Sequence, residues 1–438
     1  MKLSSRVLII TYYWPPSGGA GVQRWLKLSK YLAIEGLDVH VLTVDERHAS
    51  YMQMDESLLK EVSPKIHVHR TRSFEPINLY AKLVGKKNVP TAGFANVDEQ
   101  KLSQKIASSI RSHLFIPDPR KGWNRYAYRR ACEIIEEQDI DVVITTSPPH
   151  STQLIGMKLK SRYGIKWICD LRDPWTDIYY YKNLGHSPIS RAFDKKLEKA
   201  VLSTADHILT VSDSLIELFL EKSPTLKREG FTLIPNGYDE DDFSSIQEVK
   251  STGELLITYT GTMSGIYRPE TLFQSLRSAL DATPEIHARL QIVGHIAEEI
   301  REQIKALGLP VDYLGMVPHD KVVIYQQSSD ILLLVIPAIE NAKVILTGKI
   351  FEYLATRNQI VCLGPEVGDA AAILERTNLG KTFSRNHSDQ LTEHFKLLFR
   401  NWQKGVSPLP NEEEILTFSR RRQAQVIVDL IQEGQTGN

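Results

Sequence analysis

The sequence predicts an α/β protein built from two doubly wound parallel sheets, each flanked by helices. Three observations carry this expectation. Short apolar runs such as Val7–Thr11, Ile331–Ile336 and Ile360–Leu363 alternate with stretches of helical periodicity, the pattern of parallel strands joined by helical crossovers. A loop crowded with Pro and Gly, Tyr12–Gly21, follows the first run. An acidic stretch with few apolar residues, Tyr238–Gly253, separates two similar halves. At 438 residues the chain exceeds one ordinary hydrophobic core, so two domains are expected. Their expected bounds are 1–240, a linker 241–253, and 254–411, with a last helix 412–432 returning to complete the first domain.

Composition narrows the function classes. Lys plus Arg and Asp plus Glu balance at 53 each, so no whole-chain field draws the protein to nucleic acid. The three cysteines, Cys132, Cys169 and Cys362, lack any CxxC spacing and fall in or beside apolar runs. They read as buried thiols of a reducing compartment, not as a disulfide frame or a metal site. The apolar run of the N-terminus is too short for a secretory signal and reads as a first strand; no stretch reaches the length of a membrane span. A cytoplasmic protein is expected, with peripheral contact at the inner membrane face left open.

In the first half, Val7–Thr11, Val22–Ile34 and Val39–Val44 make a strand, helix and strand around the Gly-rich loop. The loop is not a dinucleotide fingerprint, because after Gly19-x-Gly21 the third glycine position holds Arg24. Its backbone can approach a ligand at the end of the first strand, although a sterically required turn would look the same. Residues 51–115 are less regular, with a loop expected at Lys82–Asn96 and a helix at Lys101–Leu114. Ile116–Trp123 is a turn-rich loop and Arg125–Glu137 a helix. The strand Asp141–Thr145 runs into Ser147-Pro148-Pro149-His150-Ser151, which aims His150 at the sheet's ligand crevice; an ordinary hydrogen-bonded histidine would read alike. The strand Trp167–Leu171 ends in Arg172-Asp173-Pro174-Trp175, where an ion network is an equal reading. A charged amphipathic helix, Ser190–Ser203, then precedes strand His207–Val211, helix Leu215–Glu221 and strand Phe231–Ile234.

The second half opens with strand Leu255–Thr260, a loop Gly261–Tyr267 and helix Pro269–Leu280. Strands follow at Arg289–Val293 and around Asp312–Tyr313, then helix Asp320–Gln327 and strand Ile331–Ile336. Thr347 can cap the next helix, whose Ile350, Phe351, Leu354 and Ala355 fall on one core-facing stripe. Lys349 and Glu352 share a different face, at a helix N-terminus where unpaired N–H groups and the dipole attract anions. A lysine beside an anion and a carboxylate one turn on suit a phosphate joined to a ribose; a solvated ion pair would have the same spacing. Helices Ala370–Arg376, Asp389–Trp402 and Glu412–Gln432 complete the chain.

Eight short motifs in this order carry a resemblance: WPPSGGAG with Gln23 two residues on, SPPHS, DLRDPW, ADHILTVSDSL, IPNGYD, YTGTM, LGMVP and TGKIFEYLA. Together, over Val7 to about Leu430, the chain resembles the retaining family 4 nucleotide-sugar glycosyltransferases, of a bacterial polysaccharide or glycan-building type. The resemblance implies the GT-B fold, two doubly wound Rossmann-like domains facing each other across a cleft.

It also implies roles. Glu352 would bind the donor ribose, and Lys349 and Arg268 would contact the diphosphate and act catalytically with His150, which would face the transferred sugar. Gly261 and the strip Met316–Pro318, with Met316 and Val317, would hold the rest of the donor nucleotide. Gly18, Gly19 and Gly21 would close over the diphosphate, and Asp173 and Trp175 would stand on the acceptor side. No cofactor and no metal are implied; the partners are a nucleotide-sugar donor and a glycan or lipid-linked acceptor. Two departures stand out: Val344 occupies the place of an earlier family glutamate, with Glu340 the nearest acid, and Thr262 replaces a basic residue after the glycine of YTG. A non-hydrolysing nucleotide-sugar epimerase and a nucleotide-binding module without turnover are the alternatives.

Overall fold

The computed structural model describes residues 5–51, 53–74, 116–178, 181–244, 253–340, 342–407 and 409–433. The loop expected at 82–96, the helix expected at 101–114 and residues 245–252 of the expected linker lie outside these. The chain forms two compact units, 1–235 with 423–438, and 236–422.

In the first unit the strands are β1 (Arg6–Ile10), β2 (Asp38–Val44), β3 (Ile66–Thr71), β4 (Val142–Ser147), β5 (Lys166–Leu171), β6 (His207–Thr210) and β7 (Phe231–Leu233). They make one sheet in the order β3-β2-β1-β4-β5-β6-β7, with every pairing parallel. Helices cover both faces, which is why β1 and β4 are buried almost throughout and read as continuous apolar runs. Chain order reverses between β1 and β4. That point leaves a crevice beyond the carboxyl ends of the strands.

The second unit repeats the plan. Its strands are β8 (Leu255–Thr260), β9 (Ala288–Val293), β10 (Val311–Gly315), β11 (Ile331–Val335), β12 (Gln359–Leu363) and β13 (Gly380–Phe383), in the parallel order β10-β9-β8-β11-β12-β13. The reversal falls between β8 and β11. Two cores sandwich the sheet, one around Leu272, Phe273 and Phe395, the other around Ile350, Phe351, Leu354 and Phe418. The stripe expected on the helix after β11 is buried, and Tyr353 joins it.

Two boundaries differ from expectation. Tyr238 and Phe243, expected in the linker, pack into the second unit's core, and Asp239 caps a short helix, Glu240–Phe243, through the amide of Asp241. The single helix expected over 412–432 is two, Glu412–Leu416 and Arg420–Glu433. The backbone of Tyr238 breaks it. Tyr238 donates its N–H to the Phe418 carbonyl at 3.0 Å and accepts from the Arg420 N–H at 2.9 Å, drawing that segment out of helical geometry. Ile415 and Phe418 therefore stay in the second unit's core, while Ala424, Ile427, Val428 and Ile431 pack into the first.

The three cysteines are buried free thiols, and burial pushes Cys362 up to about 12. Among the described residues, no helix is long and apolar enough to cross a membrane.

Candidate donor pocket and candidate active-site residues

At the switch point of the second unit the ends of three strands and two helices line a cavity of about 140 Å³. Thr260 and Gly261 come from the end of β8, Val293 and Gly294 from β9, and Met316 and Val317 from just past β10. Val322 comes from helix His319–Gln327, and Lys349 and Glu352 from helix Gly348–Thr356. Five residues singled out in the sequence (Gly261, Met316, Val317, Lys349 and Glu352) thus line one space.

Its floor depends on two glycines at positive φ. Gly261 (φ 103°) donates its N–H to the Val293 carbonyl, and Gly294 (φ 125°) donates to the Gly315 carbonyl, both at 2.7 Å. A Cβ on Gly294 would lie 2.3 Å from the Gly261 carbonyl oxygen, and one on Gly261 would lie 2.7 Å from Lys349 Cε. Side chains are excluded at both positions, so backbone can approach a ligand and the lysine stem can cross Gly261.

Lys349 Nζ donates to Tyr259 Oη at 2.7 Å and sits 4.2 Å from the centre of that ring. Tyr259 Oη donates in turn to the Thr262 carbonyl at 2.8 Å. Burial lowers the lysine to about 8, against the opposing pull of Glu352. The ammonium is therefore mostly charged at neutral pH yet poorly compensated, the state in which an anion is bound most strongly. Glu352 Oε2 accepts from Gln326 Nε2 at 2.7 Å, and the same amide reaches Thr260 Oγ1 at 3.2 Å. This fixes the carboxylate and leaves its remaining lone pairs toward the cavity. Tyr353 Oη accepts from the Thr260 N–H at 3.0 Å and ties the helix to the end of β8.

Thr347 occupies the N-cap position, but its hydroxyl makes no cap bond and is buried without a partner. The helix starts instead on a tighter turn, with the Ile350 N–H bonded to the Thr347 carbonyl at 3.2 Å. Arg268 does not line the cavity. It is exposed at φ 44°, and its carbonyl accepts from Arg385 Nε at 3.2 Å. Tyr259, Thr260, Gly294, Val322 and Gln326 were missed in the sequence. Gly294 carried a signal, a glycine directly after the strand Arg289–Val293, and Tyr259 and Thr260 stand in the YTGTM motif without having been given a role.

In the first unit, Gly18 donates to the Gln53 carbonyl at 2.9 Å, Gly19 stands at φ 90°, and the Gly21 carbonyl accepts from Arg172 Nη1 at 3.0 Å. Arg172 also binds the Ser147 carbonyl through Nε at 2.6 Å, so the expected ion cluster at the end of β5 acts as a brace for two loops. Asp173 is half-buried, and burial raises its carboxyl above the ordinary value against the pull of Arg172.

His150 stacks on Trp175, ring centres 4.8 Å apart and planes 11° from parallel. Trp175 is only 2 % exposed and donates Nε1 to Asp194 Oδ1 at 2.9 Å. Its acceptor-side assignment changes accordingly: the indole backs His150 and offers no free face to a sugar. Burial, with Lys222 and Arg172 nearby, lowers His150 to about 3, so its ring is neutral at physiological pH. Its Nδ1 is buried and unpartnered.

Half-buried neutral histidines make stability acid-sensitive. Burial lowers His207, beside Lys166 and Glu433, and lowers His394, beside Lys381, to about 4. With His150 these rings stay neutral where the unfolded chain takes up protons, so stability falls as pH drops from about 6.5 toward each folded value. The expected loss is up to about 1.4 kcal/mol per pH unit for each ring. Urea midpoints at pH 7, 6 and 5 measure it, and His150→Gln should flatten the dependence; an unchanged slope counts against a neutral His150.

Residues 94–242, about a third of the chain, match the family described as Glycosyltransferase Family 4. Among curated proteins none matches. A glycosyltransferase from Rickettsia africae has a similar structure, at 14% identity and TM-score 0.63, with 100% of each chain covered. Anabaena HepE, solved with UDP and glucose, aligns at 13% identity and TM-score 0.59 over 98% of this chain and 100% of its own. The lipopolysaccharide outer core galactosyltransferase WaaB aligns at 12% identity and TM-score 0.58, over 97% and 99%. At such identities structural likeness establishes the fold alone. The chain accordingly has the two-domain GT-B fold, and the resemblance read from its motifs meets an independent match to Glycosyltransferase Family 4 over residues 94–242.

Proposed function

We propose that the protein transfers a sugar from a nucleoside-diphosphate donor to a glycan or lipid-linked acceptor, with retention of anomeric configuration and without a metal ion. The observation that carries this reading is the pairing of a half-buried, mostly charged Lys349 with a fixed Glu352 carboxylate in one cavity at a strand-order reversal. HepE, a neighbour in fold, was solved with UDP and glucose, which supports a nucleotide of this kind.

In the proposed reaction the bond between the anomeric carbon and the β-phosphate oxygen breaks, and its electron pair stays on the phosphate. An acceptor hydroxyl oxygen bonds to the same face of the carbon, and its proton passes to the departing phosphate oxygen. Lys349 and the N–H groups of its helix's first turn stabilise the growing charge. Glu352 accepts hydrogen bonds from the ribose hydroxyls. His150 is neutral and therefore donates or accepts a hydrogen bond at the sugar without supplying charge.

Glu352→Gln keeps the shape of the side chain and removes a charge-assisted bond worth about 1.5–3 kcal/mol. Calorimetric titration with nucleoside diphosphates should show roughly ten- to hundredfold weaker binding and an unchanged melting temperature without ligand. Equal affinity in the variant sinks the assignment. Incubating the loaded enzyme with and without acceptor glycans then separates transfer from epimerisation.

Helix Pro188–Thr204 supports contact with an anionic membrane surface. Its Asp194 and Glu198 point inward, while Ile189 (83 % exposed) and Phe193 (53 %) stand among exposed Arg191, Lys195, Lys196 and Lys199. Co-sedimentation with anionic but not neutral vesicles, weakened in Lys195→Glu/Lys196→Glu, is expected; equal sedimentation of wild type and variant excludes this helix.

A further inference from the structure

Strands β2 and β3 carry two short polar repeats, Asp38-x-His40 and His67-x-His69. Side chains two apart on a strand share a face, and the parallel register sets His40 opposite His67, so all four residues stand together. The place is the amino-terminal side of the sheet, remote from the strand ends that carry the Gly-rich loop and His150.

We propose that Asp38, His40 and His67 form a Zn²⁺ site that staples the edge strand β3 to β2. One donor atom from each of the three lies within 4.8 Å of the others. His40 Nε2 and His67 Nε2 are 3.4 and 3.5 Å from Asp38 Oδ1. Tetrahedral zinc with bonds of about 2.0–2.1 Å separates its ligand atoms by about 3.4 Å, so two of the three edges already have the required length. The two imidazoles stack with ring centres 4.8 Å apart. A small rotation of the exposed His67, whose side chain is 60 % accessible, would close the third edge.

A second observation points the same way. His40 is only 3 % exposed, and its buried Nε2, which faces Asp38 Oδ1 at 3.4 Å, makes no well-formed hydrogen bond there. A buried imidazole nitrogen that faces a carboxylate and a second imidazole without a well-formed hydrogen bond is placed as a metal ligand would be. Its other nitrogen is already oriented: Nδ1 lies 3.0 Å from His69 Nε2. When His69 accepts there, His40 carries its proton on Nδ1 and turns an unprotonated Nε2 to the metal, the usual supporting arrangement for zinc-bound histidine. The nearby Arg6 is held by Asp139 Oδ2 at 3.1 Å and by the Gln138 carbonyl at 2.9 Å, which leaves Asp38 to the histidines. Two imidazoles and one carboxylate, with a fourth position open to water, suit zinc better than calcium or magnesium.

The test uses the full-length protein, stripped with chelator and titrated with Zn²⁺ in a calorimeter. Wild type should take up one equivalent tightly, and the bound ion should raise its unfolding temperature. His67→Ala replaces an exposed side chain and should fold normally while losing both effects. His69→Ala should weaken binding by about 10–100-fold through the orientation of His40. His387→Ala, which disrupts an exposed His–Glu pair elsewhere, should bind as wild type does. Absence of stoichiometric uptake by the wild type, or equal uptake by His67→Ala, overturns the site.

Discussion

Asp170→Ala is expected to destabilise the first unit by about 3–5 kcal/mol, because it strands a buried guanidinium. Asp170 and Arg24 are both fully buried. The Asp170 carboxylate accepts from Arg24 Nη2 at 2.8 Å and Nε at 3.2 Å, from Trp25 Nε1 at 2.7 Å and from Thr146 Oγ1 at 2.7 Å. Burial alone would push its carboxyl up, but Arg24, Arg172 and these bonds hold it below the ordinary value. Arg24 also donates Nη1 to the Ile234 and Pro235 carbonyls at 2.7 and 3.0 Å, so one ion pair joins the first helix, β4, β5 and the end of the first long segment. Because the folded carboxyl is depressed, its contribution is present at neutral pH and disappears as pH falls through the folded value. Urea unfolding followed by indole fluorescence reports mainly on the first unit, since Trp14, Trp25, Trp123, Trp167 and Trp175 lie there and only the sixth tryptophan, Trp402, lies in the second. Asp170→Leu with Arg24→Met should recover much of the loss, since packing replaces a pair that was costly to desolvate. A loss below about 1 kcal/mol for Asp170→Ala would mean that water or another group compensates Arg24.

Arg24 also shows where the sequence was legible. As the residue standing in the third glycine position, it argued against a dinucleotide fingerprint, and the structure uses that position for a buried ion pair instead. The strands buried on both faces, β1, β4, β8, β11 and β12, were plain as apolar runs. The missed elements were weaker signals for physical reasons. Strand β3, IHVHRT, lies at a sheet edge with only Ile66 buried, so its polar residues hide the pattern. Strand β13, GKTF, is a short edge strand at the other sheet's margin. Helix Glu298–Ala306 buries only Ile300 and Ile304. The break in the terminal helix depends on pairing with Tyr238, far away in sequence and invisible to local periodicity.

The cavity proposed for the donor was legible for a related reason. Lys349 and Glu352 sit one turn apart on the helix that follows a buried strand through a loop, so chain order sets them near a strand's carboxyl end. Their supports were not: Gln326 lies on a different helix and Tyr259 within a strand, and only the packed sheet brings them to the carboxylate and the ammonium. The same limit hid the cluster of Asp38, His40 and His67, since His67 gains its meaning only from the register of a strand that the sequence did not reveal.

Lys349→Ala should lower kcat by about 10²–10³-fold, the usual cost of removing one fixed donor from a developing negative charge. Donor binding should weaken less, because the diphosphate gains charge as the glycosidic bond breaks and the lysine acts most strongly at that moment. The geometry favours such a difference. Lys349 Nζ is bonded to a neutral phenol and faces Glu352 without a direct ion pair among the described contacts, so the ground state does not quench its charge. Burial has already lowered it to about 8. Nucleoside diphosphate affinity should therefore fall as pH rises through about 8, where the free protein loses the cation, and bound diphosphate should shift that step upward. Lys349→Met should bind weakly and without this step, whereas Tyr259→Phe should keep the step while moving its midpoint, since it removes only the hydroxyl that holds the ammonium. Calorimetry from pH 6.5 to 9.5 on the three proteins resolves these outcomes without a known acceptor. A wild-type profile identical to that of Lys349→Met would remove Lys349 from the diphosphate site, and a variant that raised KM with kcat intact would reduce it to a uniform substrate contact.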